Sequence, residues 1–226
     1  MDEQFSSGEL DGSRPYSPAL LRIYDPWVLG LNNHLVWRCA TTNIRDQYNQ
    51  HVAGDHLDIG PGTGFFLQRA SYPVDVPSIM LMDLSEHPLA MTTSRLRARG
   101  ITAEAVRGSV LRPFPIPEGR RFRSVAASLL MHCVPGAWDS KGRAFAHVAA
   151  VTAPEGRFFG STVLASPSTR LSRAVGGFFN ERGAFHNADD DVEGLRHALD
   201  TAWSEVEVQV IGQVALWCAR GPRPPS

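Results

Sequence analysis

His56-Leu57-Asp58-Ile59-Gly60-Pro61-Gly62-Thr63-Gly64-Phe65 decides how this 226-residue chain is read. An apolar run that ends in closely spaced glycines predicts a buried strand, a tight turn and then a helix. Residues without Cβ atoms there let a ligand approach the backbone at the carboxyl edge of a parallel sheet. The spacing is G-x-G-x-G, with Phe65 where the dinucleotide fingerprint G-x-G-x-x-G would place its third glycine. Asp58 stands two residues before the first glycine, at the expected strand tip. A carboxylate there repels a pyrophosphate and favours an ammonium or a sulfonium. The stretch therefore reads as a nucleotide-cofactor site whose ligand is cationic at this end.

Nineteen residues beyond Gly64 a second apolar run, Ile79-Met80-Leu81-Met82, ends in Asp83. An acid at the end of the second strand is suited to the hydroxyls of a ribose. Strand, glycine turn, helix, strand and acid together resemble the class I S-adenosylmethionine-dependent methyltransferases, whose first motif reads D-x-G-x-G-x-G or close to it. The string Tyr24-Asp-Pro-Trp-Val-Leu-Gly30, followed by Trp37-Arg38-Cys39, resembles small methyltransferases of microbial natural-product pathways. The resemblance spans roughly residues 50 to 219. It implies an α/β, Rossmann-like fold with a mostly parallel seven-stranded sheet, a terminal antiparallel hairpin and an N-terminal helical lid.

Composition limits the alternatives. With 43% hydrophobic residues the chain is long enough for one full α/β domain and short for two. The net charge is −1 and Lys141 is the only lysine, so there is no basic patch for nucleic acid and no P-loop lysine. Cys39, Cys133 and Cys218 have neither disulfide-framework nor zinc spacing. No apolar run reaches the length of a membrane span, and the N-terminus lacks a signal-peptide core. A soluble cytoplasmic enzyme is the simplest expectation. Its expected partners exclude nucleic acid and membrane, and its oligomeric state stays open, a homodimer being one option.

In chain order, residues 1–14 read as a polar tail and 15–52 as helices of the lid, with a third helix from about Thr42 to His51. The core is expected over 53–220, with an acceptor-side insertion at about 165–188 and a short tail over 221–226. A helix over Thr63 to Ala70 would aim its positive end at the ligand carboxylate. Ser85 is expected to cap a helix that Gly100 ends. Strands are expected over Ala103–Arg107, Ser124–Leu129 and Arg157–Leu164, with a turn at Ala153-Pro154-Glu155-Gly156 before the last of these. Val206, Val208 and Val210 alternate with polar residues and, with Val214 to Ala219, predict the closing hairpin.

The resemblance implies a site as well as a fold. Asp58, Gly60, Pro61, Gly62, Thr63 and Gly64 would hold the methionine part of S-adenosylmethionine, with Tyr24 from the lid. Asp83 would take the ribose, while Leu84, Ser109, Val110 and Leu130 would surround the adenosine. Ser109 departs from the family, which commonly carries an aspartate there. The loop Met131-His132-Cys133-Val134-Pro135-Gly136 would face the methyl acceptor. His132 and His186 are the candidate bases, because imidazole takes a proton near neutral pH. A histidine that only packs or holds its loop is the competing reading of His132, and Cys133 reads as a small buried filler. Trp27, Met131, Phe178 and Phe179 are candidate acceptor contacts beside Phe185, against plain aromatic packing. Asp189-Asp190-Asp191 lacks the alternating spacing of a metal box and reads as acids at a helix start, so no metal is expected.

In-line methyl transfer to a small molecule, a secondary metabolite, is the expected function. The alternatives are a protein of this fold that binds the cofactor but performs cyclisation or decarboxylation, or a non-catalytic binding subunit.

Overall fold

The computed structural model describes residues 35–166 and 169–224, and the expectations for the tail over 1–14, for the lid helices up to residue 34, for Tyr24 and for Trp27 lie outside these residues. Strand β1 (Asp55–Ile59) sits near the middle of a seven-stranded sheet ordered β3-β2-β1-β4-β5-β7-β6. The strands β2 (Ser78–Asp83), β3 (Ala103–Arg107), β4 (Phe122–Ser128) and β5 (Thr152–Val163) run parallel to it. β7 (Val214–Pro222) pairs antiparallel with β5, and β6 (Trp203–Ile211) closes the edge beside β7. The strand order reverses between β1 and β4. In an open α/β sheet, that reversal opens a crevice above the carboxyl ends of the strands.

Period-two alternation sends neighbouring residues to opposite faces and thereby makes two cores. Leu57, Ile59, Val125 and Phe158 pack on one face with Trp138, Phe145, Leu195 and Leu199. Those partners come from α4 (Trp138–Lys141), α5 (Arg143–Val151) and α7 (Val192–Ala202). Leu81, Ala126 and Phe159 point the other way, toward α1 (Thr41–His51), α2 (Phe65–Arg69) and α3 (Glu86–Arg97). Each fully buried Phe or Leu contributes roughly 1.5–3 kcal/mol, so the sheet is anchored from both sides. His56 and Asp58 alternate with Leu57 and Ile59, which places two polar groups on the α1 side of a buried strand.

Local chemistry explains where the elements depart from expectation. The helix after the glycine turn begins at Phe65, because Gly64 at its N-cap has a left-handed φ of 75°. Ser85 occupies the N-cap of α3, but its side chain makes no capping bond. The Ala153–Gly156 stretch does not precede β5; it bulges out of it, since Phe122 faces Thr152 while Ser124 faces Arg157. Gly142 separates α4 from α5, being the C-cap of the first and the N-cap of the second. β7 continues to Pro222, so Gly221 and Pro222 belong to the sheet. Helix α6 (Arg170–Glu181) opens with a reciprocal capping box between Thr169 and Ser172. No helix among the described residues is long and apolar enough to cross a membrane.

Candidate active site

The pocket at the strand-order reversal is built from four loops. The glycine turn supplies Gly60, Pro61, Gly62 and Thr63, and the end of β2 supplies Met82, Asp83 and Leu84. Gly108, Ser109, Val110 and Leu111 follow β3, and Ser128, Leu129, Leu130, Cys133, Val134 and Pro135 follow β4. Tyr48 from α1, with Phe65 and Phe66, completes the wall.

The glycine turn alternates left-handed residues, with φ of 66° at Gly60, 56° at Gly62 and 75° at Gly64, while Pro61 and Thr63 keep ordinary negative φ. Successive N–H groups in such an alternation form a concave nest for an anionic group. A Cβ on Gly62 would meet nothing within 4 Å, so this backbone faces open space. A Cβ on Gly64 would come within 2.8 Å of the Thr92 side chain, and the Thr92 hydroxyl donates to the Gly62 carbonyl at 3.2 Å. Thus α3 clamps the turn from behind.

Asp83 accepts from the Ser85 N–H at 2.8 Å. Burial, assisted by the negative Asp58, pushes its pKa up to about 7 despite the bonds from Ser85 and Leu84. A carboxylate short of solvent on a pocket wall is suited to accept from paired hydroxyls. Ser109, 3% exposed, accepts from the Leu111 N–H at 3.1 Å.

Asp58 does not reach the pocket wall. It is 1% exposed, and its Oδ2 accepts from the Tyr48 hydroxyl at 2.7 Å and faces His56 Nε2 at 3.4 Å. Ser124 Oγ accepts from the Ala53 N–H and meets His56 Nδ1, both at 2.8 Å. Because a carboxylate only accepts, the set is matched when His56 carries its proton on Nε2, directed at Asp58, and takes the Ser124 proton at Nδ1. Tyr48 was not legible as a site residue in the sequence, because only its packing beside β1 brings its hydroxyl to Asp58.

Comparison with known proteins decides the family. A model described as a methyltransferase domain matches residues 57–156. The demethylluteothin O-methyltransferase of Streptomyces thioluteus is 39% identical over 93% of this chain and 91% of its own length. The chain belongs to the class I S-adenosylmethionine-dependent methyltransferase family. A physcion biosynthesis cluster O-methyltransferase from Aspergillus chevalieri is 36% identical to this methyltransferase, over 92% of this chain and 94% of its own. The fold is shared with the N-methyltransferase NodS of Bradyrhizobium japonicum, solved with S-adenosyl-L-homocysteine. That structure covers 96% of this methyltransferase and 100% of its own chain, with a TM-score of 0.65 at 14% identity.

The residues expected on the acceptor side fall into distinct places. Met131 is fully buried in the core and opens a short 3-10 turn, Met131–Cys133. His132 is 5% exposed and lies off this pocket; its Nδ1 accepts from the Val163 N–H at 3.4 Å, and its ring stands edge-on to Phe185. Burial, with Lys141 nearby, lowers its pKa to about 3, so the ring is neutral and carries its proton on Nε2. Cys133 is only partly buried and lines the pocket, so it is a wall residue rather than a core filler. Phe179 stacks on Phe185, whereas Phe178 is 48% exposed beneath the Arg182 guanidinium.

His186 borders a second hollow with Gly136, Ala137, Asn180 and Phe185, joined to the first pocket by the Cys133–Ala137 loop. Its Nε2 is buried and has no hydrogen-bond partner among the described residues. Behind this loop Lys141 is fully buried and donates to Asp190 Oδ2 at 2.5 Å, and at 3.3 Å to the carbonyls of Met131 and His186. Two of the three consecutive acids therefore have separate roles. Asp191 caps α7 by accepting from the Gly194 N–H at 2.6 Å, while Asp190 pairs with the lysine. No cluster of metal-ligating side chains occurs among the described residues.

Proposed function

We propose that this methyltransferase uses S-adenosylmethionine to methylate a hydroxyl of a small, largely apolar secondary metabolite. The observation that carries the reading is a single pocket onto which both the left-handed glycine turn and the Asp83 carboxyl open. These groups fit the cofactor: a nest for its carboxylate, an acid for its ribose, and apolar Leu84, Val110 and Leu130 for its base. When bound, the sulfonium supplies a methyl group that moves in line to the acceptor oxygen; the C–S bond breaks, sulfur keeps the pair, and the hydroxyl proton leaves. The relatives named as demethylluteothin and physcion-cluster O-methyltransferases support oxygen as the acceptor atom.

The chain's own contribution is alignment and exclusion of water, which can supply several kcal/mol, roughly 7–11 in well-oriented cases. Of the two histidines, His186 is the better base. Its Nε2 is buried beside the second hollow without a partner, whereas the accepting nitrogen of His132 is turned to β5. His132 holds the Met131–Cys133 turn against β5.

Parallel calorimetric titrations with S-adenosylmethionine, S-adenosylhomocysteine and NAD test the cofactor, followed by a mass-based screen of phenolic and enolic acceptors. Binding of the first two, with a gain of one methylene by a hydroxylated acceptor, is the expected result. Binding of NAD alone, or methylation confined to amines, overturns the reading.

A further inference from the structure

The second hollow, about 300 Å³, is at the small end of ligand pockets. Gly136, Ala137 and Ala188 line it with little side chain, and Phe185 adds an aromatic ring. Its polar lining includes the amide of Asn180 and the exposed carboxylate of Asp189. The Asn180 amide is held in one orientation. Its Nδ2 donates at 2.9 Å to the Gly176 carbonyl, one turn back in α6, and at 2.9 Å to Asn187 Oδ1. Asn187 is buried, and its own Nδ2 donates at 2.9 Å to the Val163 carbonyl at the end of β5, so its oxygen is the end left for Asn180. A nitrogen between two acceptors uses both of its N–H donors there, and turning the Asn180 amide over would set oxygen against oxygen at both contacts. Neither Gly176 nor Asn187 borders the hollow, so the end of the Asn180 amide left for it is Oδ1. That oxygen accepts from no described residue, and unlike His186 Nε2 it is not sealed from solvent.

An amide oxygen and a carboxylate only accept, and the lining around them is small and aromatic. Such a hollow fits a flat molecule that brings a hydrogen-bond donor, and it disfavours an anionic group. We propose that Asn180 Oδ1 accepts from a second hydroxyl of the methyl acceptor, so that Asn180 selects dihydroxyaromatic acceptors over their monohydroxy counterparts. The inference rests on the hydroxyl-methylation reading above and adds to it the residue that chooses among acceptors. Asn187, tied to β5, is a positioning residue that acts by holding the Asn180 amide. Once a ring covers the hollow, an analogue without the second hydroxyl leaves the amide oxygen unpaired, so the selection comes from rejection as much as from attraction.

The test is calorimetry on the purified chain saturated with S-adenosylhomocysteine. The probes are 1-naphthol, the dihydroxynaphthalenes that keep its hydroxyl, and the hydroxynaphthoates that carry a carboxylate in place of the second hydroxyl. The wild-type chain is expected to bind at least one diol about 3–10-fold tighter than 1-naphthol, the scale of one neutral hydrogen bond, and no hydroxynaphthoate tighter than 1-naphthol. Asn180→Ala is expected to bring the diol-to-naphthol ratio to about one, while S-adenosylhomocysteine and 1-naphthol bind as before. Asn180→Ser, whose hydroxyl can return to the Gly176 carbonyl as serine does within helices, is expected to lose the ratio in the same way, and it decides the matter if Asn180→Ala does not fold. A ratio that survives in the variants, a wild-type chain that prefers no diol or binds no naphthol, or a preference for a hydroxynaphthoate overturns the assignment to Asn180. A wild-type chain that does not bind S-adenosylhomocysteine overturns the cofactor reading itself, a result distinguishable from all of these.

Discussion

Asp83 shows at the scale of one residue how the pocket trades stability for binding. The folded chain holds a proton on this carboxyl up to about pH 7, whereas an ordinary aspartate loses it near 3.8. Between those values the folded state binds more protons than the unfolded state, so stability falls as pH rises through the window. Asp83→Asn is expected to flatten that part of the melting-temperature profile. In the proposed site ribose hydroxyls would donate to the ionised carboxylate, so the added stabilisation by S-adenosylhomocysteine should grow from pH 5.5 to 8. Asp83→Ala should remove about 1.5–3 kcal/mol of that binding, the usual loss for hydrogen bonds to a charged partner. Thermal melts with and without ligand across this range check both signs. An unchanged ligand effect in Asp83→Ala would take Asp83 out of the ribose site.

The glycine turn argues at the scale of an element, because its residues share one backbone device but differ in surroundings. Gly62 and Gly100 both have positive φ, 56° and 77°, and a Cβ on either would meet nothing within 4 Å. Gly62→Ala and Gly100→Ala should therefore lose similar stability, on the order of 1–2 kcal/mol each from the left-handed backbone. Only Gly62 borders the pocket, so only its substitution should weaken S-adenosylhomocysteine binding. Gly64→Ala adds contacts of 2.8 Å to the Thr92 side chain and 3.1 Å to its Cα, and should cost more stability than either. Chemical denaturation and ligand titration on the three variants separate these effects. Equal binding losses at Gly62 and Gly100 would mean that the turn acts only through stability.

At the scale of the whole molecule, what could be read in the sequence was whatever is local to it. The apolar run, the glycine spacing, Asp83 and the alternating strands of the closing hairpin are each written within a few residues, whereas the strand order rests on pairings between segments far apart in the chain. Tyr48 was hidden because it sits in an ordinary helix pattern and gains its chemistry only from Asp58 on the neighbouring strand. The Lys141–Asp190 pair spans 49 residues, and periodicity carries no trace of it. That pair also ties the Met131 turn to the His186 loop, so it joins both halves of the acceptor side. Removing one partner of a buried pair leaves an uncompensated charge, and Lys141→Met is expected to destabilise the chain by about 3–5 kcal/mol. Replacing both partners removes the charge that the single variant strands, so Lys141→Met combined with Asp190→Leu should recover most of that loss. What the double variant does not restore is the donor to the Met131 and His186 carbonyls. Turnover with an acceptor should therefore stay low while S-adenosylhomocysteine affinity stays near wild type. Denaturation midpoints and parallel kinetics on the two variants measure this split, and full activity in the double variant would reduce the pair to a stability role.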